Sequence, residues 1–234
     1  MRAIIGGTGT GSFYQNLEKR SIITGFGEVE AFVLNDVIFI PRHRAEHTVP
    51  PHAINYKAEI TALKELGISS AIGIYAIGSI SQKIKPGNWG LLSQFVDLSG
   101  RGITMFENKA VHTDMTNPFS SDLNRKILES AREVGAKFGP VCDDAIYVQT
   151  NGPRLETSAE IRMFSQLGFD VVGMTCACEA VLAREMDIEF SAAAYGINYA
   201  AGVNESNEEV FFIDDNACAA IINEMAEVFM NIKN

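Results

Sequence analysis

The chain has 234 residues, enough to bury one sizeable core and within the range of one α/β domain. Hydrophobic residues make up 47% of it and charged residues 21%, a balance that excludes extended disorder. A net charge of −10 argues against a nucleic-acid backbone as partner, which needs a clustered basic face, although a few Arg, His and backbone donors can still capture a small anion.

Met1 leads straight into the β-rich run RAIIGG, with neither the charged segment nor the apolar segment of a secretory signal. No apolar run approaches the ~18 residues of a membrane span, so the chain reads as cytoplasmic with no membrane partner. The strand runs into IIGGTGTGSF (4–13), a glycine-and-threonine loop whose backbone N–H groups can converge on an anion. From Gly7 the spacing is G-x-G-x-G, not the dinucleotide pattern G-x-G-x-x-G, and no Lys follows Gly11 as a nucleotide P-loop requires. The loop by itself is equally compatible with a tight turn after a strand.

Further β-rich runs follow in RSIITGFG, VEAFVLN, DVIFIP, SSAIGIY, NWGLLSQFV, DDAIYVQ and IEFSAAAYGI. Helical patterns lie between the later ones. Pro51 opens one that carries Tyr56, Ile60, Leu63 and Leu66 on one face and ends at Gly67. A second starts at Ser121, with Leu123, Ile127, Ala131 and Val134 at helical spacing before Gly135. A third starts at Thr157, which can form a capping box with Glu160. Two more are expected after Thr175 and from Asp214 onward. Residues 96–120 read as a long functional loop. Early strands and later alternation predict a single α/β domain over 1–234, with a large mixed, partly barrel-like sheet flanked by helices. Cys142, Cys176, Cys178 and Cys218 form no metal pattern and read as reduced, Cys176 and Cys178 in the core.

Five stretches, PRHRAEHT (41–48), YAIGSI (75–80), NGPRLETSAEI (151–161), GMTCACEAVLARE (173–185) and GINYAAG (196–202), stand in family order at family spacing. With the opening loop they span nearly the whole chain and resemble the trimeric purine nucleoside phosphorylase and methylthioadenosine phosphorylase family. The resemblance implies phosphorolysis of an N-glycosidic bond, with orthophosphate as co-substrate and neither cofactor nor metal. By residue matching, Thr8, Arg42, His43, Tyr75, Ala76 and Thr175 fall at phosphate-binding positions. Arg42, His43 and Asn198 fall at catalytic ones. Leu155, Met174, Asn198, Tyr199, Ala200 and His112 fall at substrate-binding positions, His112 resembling a residue lent to a neighbouring subunit. That sharing implies a homotrimer, with pairing of trimers left open.

The chemistry agrees, since a phosphate dianion suits a guanidinium fork, an imidazole donor, hydroxyls and backbone N–H groups. Without the motif, Arg42 and His43 would read as an ion-pair partner and a hydrogen-bonded core residue, and Thr8 and Thr175 as turn and cap hydroxyls. His47 fits packing or indirect support of the phosphate equally. Glu179 reads only as a carboxylate complementing a helix N-terminus. Departures from the family are Tyr75, where methylthioadenosine enzymes carry Thr and a phenol is too long to replace it in place, Leu155 for a stacking Phe, and Arg44 for Gly.

Two positions address the base. Glu156, acceptor-only when ionised, suits the N1–H of a 6-oxopurine, and Asn198 can donate to O6 or N7. Adenine-cleaving relatives carry Ser and Asp there and a second Asp where this chain has Ala200. Ile213, aligned to the residue facing the 5′ group, is apolar and suits a methylthio substituent, although it could equally be a hydrophobic staple beside an Asp214 N-cap. The substrate these residues imply is S-methyl-5′-thioinosine, with inosine/guanosine phosphorolysis as the alternative. Methylthioadenosine phosphorolysis and N-ribosyl hydrolysis stand further off.

Overall fold

A strand that ends in a short loop at one edge of a sheet delivers its next residues to that edge, and this chain repeats the device four times. The computed structural model describes residues 1–14, 17–204 and 209–233, the side chain at position 12 excepted. Its strands are β1 (Arg2–Gly6), β2 (Glu18–Thr24), β3 (Gly27–Leu34), β4 (Val37–Pro41), β5 (Ser70–Ser79), β6 (Trp89–Asp97), β7 (Ala145–Gln149), β8 (Val171–Gly173) and β9 (Glu189–Tyr199). The helices are α1 (Tyr56–Glu65), α2 (Ser121–Val134), α3 (Ser158–Gln166), α4 (Cys176–Glu185) and α5 (Asp215–Met230).

The strands form one mixed sheet in the order β2-β3-β4-β1-β5-β8-β7-β6-β9, and a further β5–β9 pairing closes its second half into a five-stranded barrel. β1 pairs in parallel with β4 and β5, and β5 with β9. The C-terminal ends of these four strands therefore lie at one edge, which is where open α/β sheets bind ligands. That edge receives Gly7 and Thr8 from β1, Arg42 and His43 from β4, residues 75–78 from β5, and Asn198 from β9. β1 and β4 are buried on both faces and read as near-continuous apolar runs, as parallel strands do.

The helices cover the sheet as their periodicity predicts. In α2, Leu123, Ile127 and Ala131 are buried, Ser120 caps the start through the Leu123 N–H, and Gly135 at φ 71° ends it. Burying each such Leu or Ile side chain contributes about 1.5–3 kcal/mol. Thr157 and Glu160 form the expected capping box at the start of α3. Asp214 caps α5 by accepting from the Ala217 N–H.

Two details differ from the sequence reading. Pro51 opens only a short 3₁₀ turn over Pro51–Ala53, and α1 starts after Asn55, whose side chain accepts from the Ala58 N–H. A strong cap outweighed the proline signal. β8 has three residues, too few for a period to show. Among the described residues, no helix is long and apolar enough to cross a membrane.

Candidate active site

Arg42 follows β4, and its side chain runs beneath the sheet edge at 1% exposure against a fully buried Glu179. Nε donates to Glu179 Oε1 in a short contact, and Nη2 donates to Oε2 at 2.9 Å. Nη1 donates to the Ile74 carbonyl at 3.0 Å, and Nη2 reaches that of Ile5 at 3.4 Å. Four of the five guanidinium N–H donors are thus engaged by protein, which leaves one on Nη1. The guanidinium carbon stands 4.6 Å from the centre of the Tyr75 ring, whose hydroxyl donates to Glu179 Oε2 at 2.6 Å. Burial opposes the charge on Arg42, but Glu179 more than offsets this and holds its pKa above the ordinary value.

Arg42 also borders a second cavity of about 230 Å³, lined in part by Glu59 of α1. Glu59 is buried and its Oε2 has no hydrogen-bond partner. Burial, and then the nearby Glu179, push its carboxyl well above the usual range, while Arg42 opposes them.

The main cavity, of about 600 Å³, opens over Arg42. Gly7 lets the loop approach Arg42 and His43 closely: a Cβ there would lie 2.6 Å from Arg42 Nη1 and 3.6 Å from His43 Nε2. Thr8 lines the cavity, its carbonyl held by the Tyr195 hydroxyl at 2.5 Å. His43 is buried, with Nδ1 2.7 Å from the Val49 carbonyl. A carbonyl only accepts, so Nδ1 carries the proton. Burial first, and then Arg42, lower the His43 pKa to about 4, so the ring is neutral at pH 7 and Nε2 bears a lone pair. His47, at φ 54°, lays its ring 4.7 Å from that of His43. Thr175 lines the cavity from the start of α4, and its hydroxyl makes no capping bond to the helix.

Across the cavity lie Leu155, Glu156, Met174, Asn198 and Ala200. The Thr150 hydroxyl donates to Glu156 Oε1 at 2.6 Å and fixes the carboxylate. Asn198 is 5% exposed, and its Nδ2 donates to the Tyr199 carbonyl at 2.8 Å. Gly152, at φ 59°, is required twice over: by its backbone and because a Cβ would meet the Met174 sulfur at 2.2 Å. Arg101 ties this wall together, donating to Asn151 Oδ1 at 2.8 Å, the Asn151 carbonyl at 2.6 Å and the Met174 carbonyl at 3.3 Å.

One guanidinium N–H faces a cavity whose far wall holds a carboxylate and a buried amide, and the sequence matches the Phosphorylase superfamily over residues 2–227. The chain belongs to that superfamily. A probable 6-oxopurine nucleoside phosphorylase of Dictyoglomus turgidum is 42% identical over 212 residues, covering 86% of this chain and 79% of that protein. A probable S-methyl-5′-thioinosine phosphorylase of Thermodesulfovibrio yellowstonii is 40% identical over 211 residues, covering 86% and 78%. Among solved structures, the methylthioadenosine phosphorylase of Schistosoma mansoni in complex with adenine superposes with a TM-score of 0.82 at 26% identity, covering 98% of this chain and 89% of that one.

Within this phosphorylase fold, several residues lie elsewhere than the sequence suggested. The Tyr75 hydroxyl is committed to Glu179, so it offers the cavity no donor. Glu179 does more than complement a helix N-terminus, since both its oxygens hold Arg42. Ile213 does not line the cavity: its side chain joins a hydrophobic cluster with Cys218 and its N–H donates to the Ile197 carbonyl at 2.8 Å. Val210 and Phe212 line the cavity instead. Phe212 bridges to Asn198, and the side-chain alternation of extended backbone turns 211 and 213 away. At the end of β9, Asn198 lines the cavity, as do Ile197 and Ala200, whereas Tyr199 lines a small depression beside Phe211. His112 is exposed in the 98–120 segment and does not line this chain's cavity. Arg44 adopts φ 62°, a left-handed conformation that favours glycine.

Proposed function

We propose that this chain cleaves the N-glycosidic bond of a purine nucleoside by phosphorolysis, and that its preferred nucleoside is S-methyl-5′-thioinosine. The observation that carries the reading is the pairing, in one cavity, of the Thr8–Arg42–His43–Thr175 corner with the Glu156–Asn198 wall. Phosphate in the corner attacks C1′ of the sugar while the C1′–N9 bond breaks. The products are a pentose 1-phosphate and a free base. The dianion, held by Thr8, Arg42, His43, Thr175 and the backbone at Ala76, also stabilises positive charge growing on the sugar. The bonding electrons pass into the purine, and Asn198 donates to N7 as it gains charge. Met174 lies against the sugar, and Leu155 and Ala200 enclose the base.

Glu156, braced by Thr150, accepts from the N1–H of hypoxanthine and opposes the N1 lone pair of adenine. Phe212 and Val210 present an apolar surface that suits a methylthio group and leaves a 5′-hydroxyl unpartnered. The same wall makes inosine and guanosine weaker substrates. Orthophosphate is the co-substrate and no cofactor or metal takes part. The assembly is a homotrimer in the cytoplasm, with His112 reaching a neighbouring site. Side-by-side rates for methylthioinosine, methylthioadenosine, inosine and adenosine test the substrate: methylthioinosine should lead, and equal use of methylthioadenosine would overturn the base assignment.

A further inference from the structure

The anion corner is not a set of donors only. Over the missing side chain of Gly7 it places two atoms of opposite character: Arg42 Nη1, with one N–H left over, and His43 Nε2, with a lone pair. The lone pair follows from geometry, because the Val49 carbonyl at 2.7 Å fixes the ring proton on Nδ1. A fully deprotonated tetrahedral anion has acceptors alone, and it would set an oxygen against that lone pair in a buried place where water cannot intervene freely. An anion that keeps one O–H has a donor to offer.

We propose that His43 reads the proton on the bound oxyanion, the P–OH of hydrogen phosphate donating to Nε2, so that the site accepts proton-bearing tetrahedral anions and discriminates against sulfate. The inference rests on the reading of the cavity as a phosphate site and adds which protonation state is bound and how it is turned. With its hydroxyl on His43, the phosphate directs its three unprotonated oxygens to Arg42 Nη1, the Thr8 and Thr175 hydroxyls and the sugar. The nucleophile is then an oxygen that bears charge and no proton. Burial and the adjoining guanidinium keep the ring neutral at pH 7, so Nε2 does not become a donor there.

Phosphate, arsenate and sulfate are near-isosteric tetrahedral anions; at neutral pH the first two keep an O–H and sulfate keeps none. Sulfate is tested as a competitor of phosphate in nucleoside cleavage at fixed ionic strength, arsenate is tested in place of phosphate, and the three anions are titrated calorimetrically into the untreated protein. Sulfate should bind about tenfold or more weakly than phosphate, the effect of one mispaired buried contact, and arsenate should support cleavage. His43→Gln, whose amide can donate where Nε2 cannot, should narrow the phosphate-to-sulfate ratio to about threefold or less, with His43→Asn as the second variant should the first not fold. Sulfate binding within about threefold of phosphate in the unaltered protein would overturn the inference, and so would an unchanged ratio in the folded variant. Cleavage that ignores phosphate would instead overturn the phosphorylase reading, while the calorimetric ratio would still decide the role of His43.

Discussion

Tyr75 donates its phenolic hydroxyl to Glu179 Oε2 at 2.6 Å, the same oxygen that receives Arg42 Nη2 at 2.9 Å. A buried carboxylate with two donors on one oxygen and the short Nε contact on the other holds the guanidinium plane in one place. It leaves Nη1 aimed over Gly7. The long side chain at position 75 thus braces Arg42 through Glu179. Tyr75→Phe should lower unfolding free energy by about 1.5–3 kcal/mol, the worth of a hydrogen bond to a charged group, in urea titrations. A loss under about 0.5 kcal/mol would mean the bond is not made.

Removing the carboxylate is more severe. Glu179→Ala strands a guanidinium that is almost entirely out of water, and such uncompensated charges cost about 3–5 kcal/mol. Glu179→Gln keeps the shape and one acceptor, so it should fold. Its KM for phosphate should rise several-fold while its KM for nucleoside holds. Equal change in both constants would make Glu179 a general stabiliser rather than a support for Arg42.

The proposed base preference is assigned to Glu156 and Asn198. Methylthioinosine should exceed methylthioadenosine by about 10²-fold in kcat/KM, since a mispaired buried edge leaves polar groups unsatisfied. Asn198→Asp should narrow that ratio, because a protonated carboxyl donates to N7 of adenine while its other oxygen accepts from N6. A ratio that stays put would place recognition of the base elsewhere.

Phe212 lines the cavity and Ile213 does not, so the proposed sugar wall is tested at Phe212. Phe212→His should raise activity on inosine relative to methylthioinosine by offering the 5′-hydroxyl a partner. Ile213→His should leave that ratio unmoved and destabilise instead, because it puts a polar ring into a hydrophobic cluster. The reverse pattern would restore Ile213 to the sugar site.

The wall that carries Glu156 is anchored by the start of α3. Glu160 accepts from Arg154 and from the Thr157 N–H, and these bonds lower its pKa from 4.5 to about 2. A carboxylate whose folded pKa lies below its unfolded value stabilises the fold above the unfolded value. It loses that contribution as pH falls toward the folded one. Stability should therefore decline from pH 4.5 toward 2 in urea midpoints, and Glu160→Gln should flatten part of that decline. Parallel curves for variant and parent would remove Glu160 from the acid response.

Much of this arrangement was legible in the sequence where the signal is local. The capping box at Thr157 and Glu160 and the Gly135 terminus each need only a few neighbouring residues to be recognised. What was not legible depends on contacts across the fold. Glu179 lies 137 positions from Arg42, and no spacing rule joins them. The tautomer of His43 is set by the Val49 carbonyl, a backbone atom whose position a residue pattern does not give. Ile213 and Phe212 differ by one position in an extended segment, and in such backbone a shift of one residue exchanges the inward and outward faces.

Orthophosphate, not water, should take the sugar. Hypoxanthine release from methylthioinosine should be followed in phosphate-free buffer and across a phosphate titration, with the sugar product identified by phosphorus NMR. Release should saturate with phosphate, fall to background without it, and yield one equivalent of sugar 1-phosphate per base. Equal release in phosphate-free buffer, with free sugar as the product, would contradict the claim and identify a hydrolase.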